Sequence, residues 1–470
     1  MKAVIALIVS VVIFYFSALK WRRSVKVVFL LLVLEGALRK WVLPQANEMI
    51  YFLKDIVVLG AYFNFYLFSD SDKRFIKKLN FINILIFLVL GWCLFQVFNP
   101  SLGSPLIGIF GLRAYILYLP LIWMLPSLFQ SEGELYKFLR SHLLLLIPVG
   151  LIGIVQFFSP ATSFINRYSN EEGPAVATFG ANSATRITGT FSYINNYALY
   201  LIVCFGLLVF MLSIKQSWLW QLASFVEIFF VSINSFMTGS RGTIFAEILF
   251  LVSFLSIKIL TNPASIVRLT KQLIIPVLIV AIAASTWFLP AINAFLQRTT
   301  ANHDVSWRIV SSFTEPFDFM QYKQLDGYGT GATHQATPAL RKALDLPKGE
   351  VIPVYFEPEM GRIALELGPI GFFLWYGLRL SIIIALLFNF WKLKTLFLRQ
   401  LALTALLIQV IQFNGQLVFH HTFCVYYWFL SSLIFLLPRL EEIENWHREQ
   451  QLLEEEEDVL YPYFPDSSYR

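Results

Sequence analysis

Three arginines, Arg113, Arg186 and Arg241, stand at the ends of apolar runs with no acidic residue close to them in sequence. A guanidinium is always charged, and its planar fork of donors matches the oxygens of a phosphate two at a time. Other charges are equally out of place. Arg39 and Lys40 close the second apolar run, Lys54 and Asp55 lie within the third, and Arg298 and Arg308 open a long polar stretch. A charge at membrane depth costs about 2.5–3.5 kcal/mol on insertion scales, so such residues normally pair or line a wet cavity. Glu35 and Arg39 can pair on one helical face, Lys54 adjoins Asp55, and Arg308 can reach Asp304 if that stretch is helical. A group of unpaired cations at headgroup level suits the diphosphate of a lipid carrier; a snorkelling headgroup anchor is the other use of any single one.

Groups able to accept a proton are few. His334 follows Gly327-Tyr-Gly-Thr-Gly331, a run that reads as a tight backbone turn. An imidazole there is either a general base or simply solvated. Glu357 and Glu359 stand two apart with Arg362 beyond them; mutual repulsion would raise one carboxyl's pKa, and the guanidinium would oppose that. Two polar stripes recur at helical spacing: Glu227, Asn234, Thr238 and Arg241, then Gln409, Gln412, Gln416 and His420, with His421 next. Such stripes glue helices together or line a path for a substrate, and amides favour glue. Walker, HExxH and GxSxG patterns do not occur, and neither a metal nor a cofactor is expected.

The elements that position these residues are apolar. Of 470 residues, 57% are hydrophobic and only 14% charged, far below the roughly 25% charged typical of soluble domains. Apolar runs of about 15–22 residues recur at lengths that span a hydrocarbon core. About thirteen are expected, at 3–19, 25–42, 49–68, 80–98, 114–129, 143–158, 193–213, 219–236, 243–257, 273–289, 367–388, 401–418 and 423–437. The fold expected is therefore all-α: a polytopic helical membrane protein with about 12–13 transmembrane helices. Residues 3–19 read as a retained first helix, since no small-residue cleavage site follows them. Trp21, Trp41, Trp218, Trp220 and Trp391 fall near run ends, where interfacial belts form.

Lys and Arg collect in alternate connections, which sets one face as cytoplasmic. That places the N-terminus and both long connections, 159–190 and 290–366, on the other side. Loops of that length are usually functional. The chain divides into N-terminal helices 1–142, a core 143–289 with the first outer loop, the large extracytoplasmic loop 290–366, C-terminal helices 367–438 and an acidic tail 439–470. The tail reads as a short charged helix that frays. A net charge of +6 is scattered over short loops, not gathered into one stripe, so nucleic acid is not an expected partner. Cys93, Cys204 and Cys424 all lie in apolar runs and form no disulfide framework.

Four motifs, in order, carry a family resemblance over roughly 143–437. Arg186-Ile-Thr-Gly-Thr-Phe-Ser-Tyr-Ile-Asn-Asn-Tyr leads into a span, and Thr238-Gly-Ser-Arg241-Gly ends one. Trp307-Arg308 precedes Gly327-Tyr-Gly-Thr-Gly, and Glu366-Leu-Gly-Pro-Ile-Gly371 leads from the large loop into the next span. Together these resemble the O-antigen ligase and polymerase superfamily. The resemblance implies a lipid-carrier-dependent glycosyltransferase of the bacterial inner membrane, used in polysaccharide or lipopolysaccharide biosynthesis in the cell envelope. Its partners would be an undecaprenyl-diphosphate-linked glycan, a glycan or lipid acceptor, and membrane lipids. Transfer would be metal-independent and inverting, on the periplasmic or exterior side.

In this reading Arg186 and Arg241, with Arg308 and Arg113, bind the diphosphate, and Glu357, Glu359 or His334 takes the proton. The family commonly has a catalytic histidine nine residues before the motif's glutamate, and Glu357 occupies that place here. The alternative is a transporter or flippase of an anionic lipid-linked glycan, which needs the same cationic face but no base.

Overall fold

The computed structural model describes residues 2–68, 80–169, 176–180, 183–261, 263–301, 305–323 and 325–460. Asp304, the expected partner of Arg308, lies outside them. The order of elements is α1 Lys2–Leu19, α2 Trp21–Ala37 prolonged by a π turn Leu38–Val42, α3 Asn47–Phe63, α4 Phe81–Val97, α5 Pro105–Ile116, α6 Leu121–Met124, α7 Glu132–Leu143 and α8 Leu146–Phe158. A short hairpin of β1 Thr178–Phe179 and β2 Ala184–Thr185 follows, with Thr178 opposite Thr185. Then come α9 Ile194–Ser213, α10 Trp218–Met237, α11 Arg241–Thr261, α12 Pro263–Thr286, α13 Leu289–Ala301, α14 Val305–Phe319, α15 Thr337–Ala343, α16 Glu359–Lys392, α17 Leu396–Ile411 and α18 His421–Leu460.

The chain is thus an all-α polytopic membrane protein. Eight stretches among the described residues are long and apolar enough to cross a bilayer, and 4–19, 81–97 and 396–411 add shorter apolar helices. Most of the expected runs fall on a helix, because backbone polar groups in lipid must be satisfied within the segment itself; 114–129 is instead split among the end of α5, α6 and a 3-10 turn, and 401–418 leaves its helix at Ile411. Helix starts follow local chemistry. Asn80, Ser104 and Ser131 each accept a hydrogen bond from a backbone N–H in the first turn, and Pro105 occupies the first position of α5, where no N–H is needed.

The long connection 290–366 contains α13, α14 and α15; α14, which carries Trp307-Arg308, is amphipathic, with Trp307, Val310 and Phe317 exposed along it. Two expectations are corrected. The charged tail is no separate helix, since α18 runs on from the last apolar run through Pro438. Trp21 is not a belt residue: it is buried edge-on against Phe65, ring centroids 5.0 Å apart.

One continuous apolar core joins Trp21 near the start to Leu440 in the last helix. Charges inside it are paired or hydrogen-bonded. Arg140 of α7 bonds Glu227 of α10 at 3.0 and 3.4 Å and Ser224 at 3.1 Å. Asn234 accepts from Tyr197 at 2.9 Å and donates to Gly150 O; Gln409 donates to Ser431 at 3.0 Å. Glu227, Asn234 and Gln409 therefore act as interhelical glue, whereas Gln412, Gln416 and His420 lie beyond the end of α17 at Ile411.

α16 is broken at Gly368, whose φ of 66° is costly for any residue with a Cβ, and Pro369 follows without an N–H to continue the ladder. The carbonyls freed there are all claimed from outside the helix. Tyr328 N–H donates to Leu365 O at 2.7 Å, Gly329 N–H to Glu366 O at 2.9 Å, and the Trp92 indole to Leu367 O at 2.8 Å. The glycine turn thereby docks on the kink. On its other side Gly331 packs backbone to backbone on Gly111 of α5, where a Cβ on either residue would collide. The long connection is seated by the break in α16.

Candidate functional site

A cavity of about 820 Å³ opens at the end of the bundle that carries the glycine turn. Its walls are α2 and α3, the segment leading into α9, the loop on both sides of α15, the start of α16 and the residues just before α18.

The α2–α3 wall is a charged network centred on one ring. Glu35 bonds Arg39 at 3.4 Å one turn on, and pairs closely with Lys54 of α3. Asp55 does not pair with its neighbour Lys54; consecutive helical residues point about 100° apart. It pairs instead with Arg113 of α5 and also accepts from Tyr118. Arg39, Lys54 and Arg113 all approach the face of Tyr51, at 5.1, 5.1 and 4.9 Å from its centroid. The negative face of an aromatic ring is suited to hold cations together.

The opposite wall is built on α16. Glu366 accepts from Tyr115 at 2.8 Å and from the N–H and hydroxyl of Thr333 at 2.8 and 2.7 Å. Arg362, one turn earlier, donates to Thr333 Oγ1 and O and stacks on Phe419, 3.4 Å from the ring centroid. Its Nη1 has no partner among the described residues, although Arg362 is buried and lines the cavity. Of the charged residues that line the cavity, Arg39, Lys54 and Arg362 are cationic and Glu35 and Glu357 anionic, so cations outnumber carboxylates. Lys40, just behind, adds another, donating to Thr188 Oγ1 and Gly189 O at 2.9 and 2.8 Å.

Three histidines stand in this wall, each with a different hydrogen bond. His334 Nδ1 accepts from Ala336 N–H at 3.1 Å. His420 Nδ1 lies 2.9 Å from Asn196 Oδ1. His421 Nε2 lies 3.3 Å from Arg113, which can only donate, and its Nδ1 is buried without a partner. Burial pushes His334 down to about 4, with Arg362 and Arg113 adding to the effect. Burial and Arg362 likewise push His420 down to about 4. Both rings are neutral at pH 7.

The expected site residues divide. His334 and Glu357 line the cavity, and Arg113 stands just behind its wall. Glu357 is at the open rim, half exposed, bonded to Arg308 at 3.2 Å. Glu359 is not with them. Its buried carboxylate accepts from the N–H groups of Leu417, Val418 and Phe419 and faces Arg379 at 3.7 Å. It fixes the backbone that presents Phe419 and His420, which is a positioning role.

Arg186 and Arg241 do not line this cavity. Arg186 donates to Thr238 O at 2.8 Å, and burial with the nearby Arg298 lowers it to about 10. The residues after it are held by Gln156, whose side-chain oxygen accepts from Thr188 and Gly189 N–H. Tyr51 and Thr333 carry no signal in sequence that marks them for a site, whereas Arg39 and Lys54 were visible as misplaced charges; Asn196 lay in a quoted motif, and Arg362 and His420 were visible only as a neighbour of Glu357 and the end of a polar stripe. No set of three or more His, Cys, Asp or Glu is grouped to hold a metal among the described residues.

Neither protein-family models nor curated proteins yield a match to this chain.

Proposed function

We propose that the chain is a glycosyltransferase that moves a glycan from undecaprenyl diphosphate to an acceptor hydroxyl, on the non-cytoplasmic side of a bacterial inner membrane. The observation that carries this reading is the cavity in which Arg362 is buried with one guanidinium nitrogen left free, facing Arg39 and Lys54 across about 820 Å³. A donor that no protein group meets, on a cavity lined by more cations than carboxylates, suits an anion. Charge that develops on a departing diphosphate would meet fixed donors there, often the largest catalytic contribution. The volume suits a diphosphate with its first sugar and an acceptor sugar. Arg186 and Arg241, assigned to the diphosphate by resemblance, lie outside the cavity and would meet the carrier on its way in.

A transporter of the same lipid-linked anion is the second reading, and the broken helix α16 is the feature that favours it. In such proteins the unwound carbonyls coordinate cargo ions. Here Leu365, Glu366 and Leu367 already accept from Tyr328, Gly329 and Trp92, so the break seats a loop.

The test is genetic and chemical together. A strain lacking the gene should lose long glycan chains, if the enzyme polymerises, or accumulate them on the carrier, if it ligates; Arg362→Ala should reproduce that defect at wild-type protein level. An unchanged glycan profile would overturn the proposal. Impermeant thiol labelling of Asp326→Cys, in the loop by the glycine turn, should succeed in intact spheroplasts; labelling only after lysis would reverse the orientation.

A further inference from the structure

Of the cavity's histidines, only one can offer a lone pair to a substrate. A neutral imidazole has one N–H and one acceptor nitrogen, and the bond made by one nitrogen fixes the role of the other. His334 accepts at Nδ1 from Ala336 N–H, so its Nε2 carries the proton and can only donate. His421 accepts at Nε2 from Arg113, so its lone pair is taken and its N–H is shut in at Nδ1. His420 is the reverse of His334. Its Nδ1 meets the amide oxygen of Asn196, in the first turn of α9, at 2.9 Å. Nδ1 therefore carries the proton, and Nε2, which has no partner among the described residues, is free on a side chain that lines the cavity. The remaining lining carboxylate outside the Tyr51 network, Glu357, is held at the rim by Arg308.

We infer that His420, oriented by Asn196, is the proton acceptor of the transfer, and that His334 donates its Nε2–H to the same substrate. This rests on the proposed transferase reading. As the acceptor hydroxyl oxygen bonds to the anomeric carbon, the bond from that carbon to the diphosphate oxygen breaks, and its electron pair leaves with the diphosphate. The hydroxyl proton passes to His420 Nε2, and the resulting imidazolium later returns it to water. The negative diphosphate beside the ring favours that imidazolium and offsets the guanidinium of Arg362. His334 N–H and Arg362 Nη1 hold the leaving diphosphate. Glu359 keeps the segment before α18 in place, so the base stands on a rigid support.

The experiment uses the full chain in nanodiscs with lipid-linked oligosaccharide from the producing cells, reading release of undecaprenyl diphosphate. His420→Ala should lose roughly hundredfold or more in turnover, the scale of general-base catalysis, while binding farnesyl diphosphate within about threefold of wild type. Imidazole in the buffer should restore turnover to His420→Ala in proportion to its free base. Asn196→Ala should lower kcat with KM unchanged, and Asn196→Asp, which keeps an acceptor oxygen, should recover it. Turnover by His420→Ala near wild type overturns the inference, as does a loss that imidazole does not rescue or that comes with lost farnesyl diphosphate binding. A wild-type protein that binds the donor and releases nothing overturns the transferase reading itself.

Discussion

Charge is buried in two parts of this molecule, and the two are built differently. Deep in the bundle, Arg140 meets Glu227 and Arg379 meets Glu359, one cation to one carboxylate, all of them 2% exposed or less. At the cavity Arg39, Lys54 and Arg362 line an open space with only Glu35 and Glu357 against them. A matched pair in a dry interior holds two helices in register, and its loss leaves an isolated charge. An excess of one charge beside an open cavity suits a ligand of opposite sign.

Breaking each region should therefore give different symptoms. The largest effect expected is from Arg140→Met, which strands Glu227; a loss of about 3–5 kcal/mol in stability is anticipated. Thermal unfolding in detergent measures it, and the molecules that remain folded should bind diphosphate normally. Next is Arg362→Ala, which should weaken farnesyl diphosphate binding by roughly 30- to 150-fold, the worth of one or two charge-assisted hydrogen bonds, with little change in melting. If both variants lose stability and neither loses binding alone, the distinction between the two regions fails.

A smaller effect is expected where the motif arginines are concerned. Arg186→Lys and Arg241→Lys keep charge but lose the fork, so turnover should fall roughly tenfold with cavity binding of farnesyl diphosphate preserved. Binding that falls as far as in Arg362→Ala would move the diphosphate to that pair.

The smallest effect is the response to acid. His334 and His420 are held near 4 in the folded chain, against about 6.5 for a free imidazole. Below 6.5 the unfolded chain takes up protons that the native cavity refuses. The stabilisation is complete above about 6.5 and is lost as pH falls toward 4. kcat/KM should stay flat from pH 7 to about pH 5, because it reports the free protein, in which the rings remain neutral; a midpoint near 6.5 would mean that neither imidazole is in the buried state described.

Much of this was legible in the sequence. Apolar length located most of the bundle, since lipid leaves the backbone no other solution, but it missed the starts of α5 and α7 at Pro105 and Glu132. The i,i+4 pair Glu35–Arg39 was legible as well, because it is local. What lay hidden was long-range: Asp55 seeks Arg113 58 residues away, not Lys54 beside it, and Glu359 turns inward to residues 417–419 while Glu357, two positions earlier, faces water. A change of side at the start of a helix cannot be read from spacing. The glycine turn was legible as a turn, but its docking on the kink at Gly368 depends on carbonyls that only the folded α16 exposes.

The most direct test of transfer against transport needs no mutation. Purified protein in detergent micelles, with no compartment to cross, is given lipid-linked oligosaccharide and acceptor. Transfer chemistry predicts release of undecaprenyl diphosphate in step with a new glycosidic bond, with the anomeric configuration inverted. Donor that stays intact in micelles, yet crosses the bilayer unchanged in proteoliposomes, would contradict it.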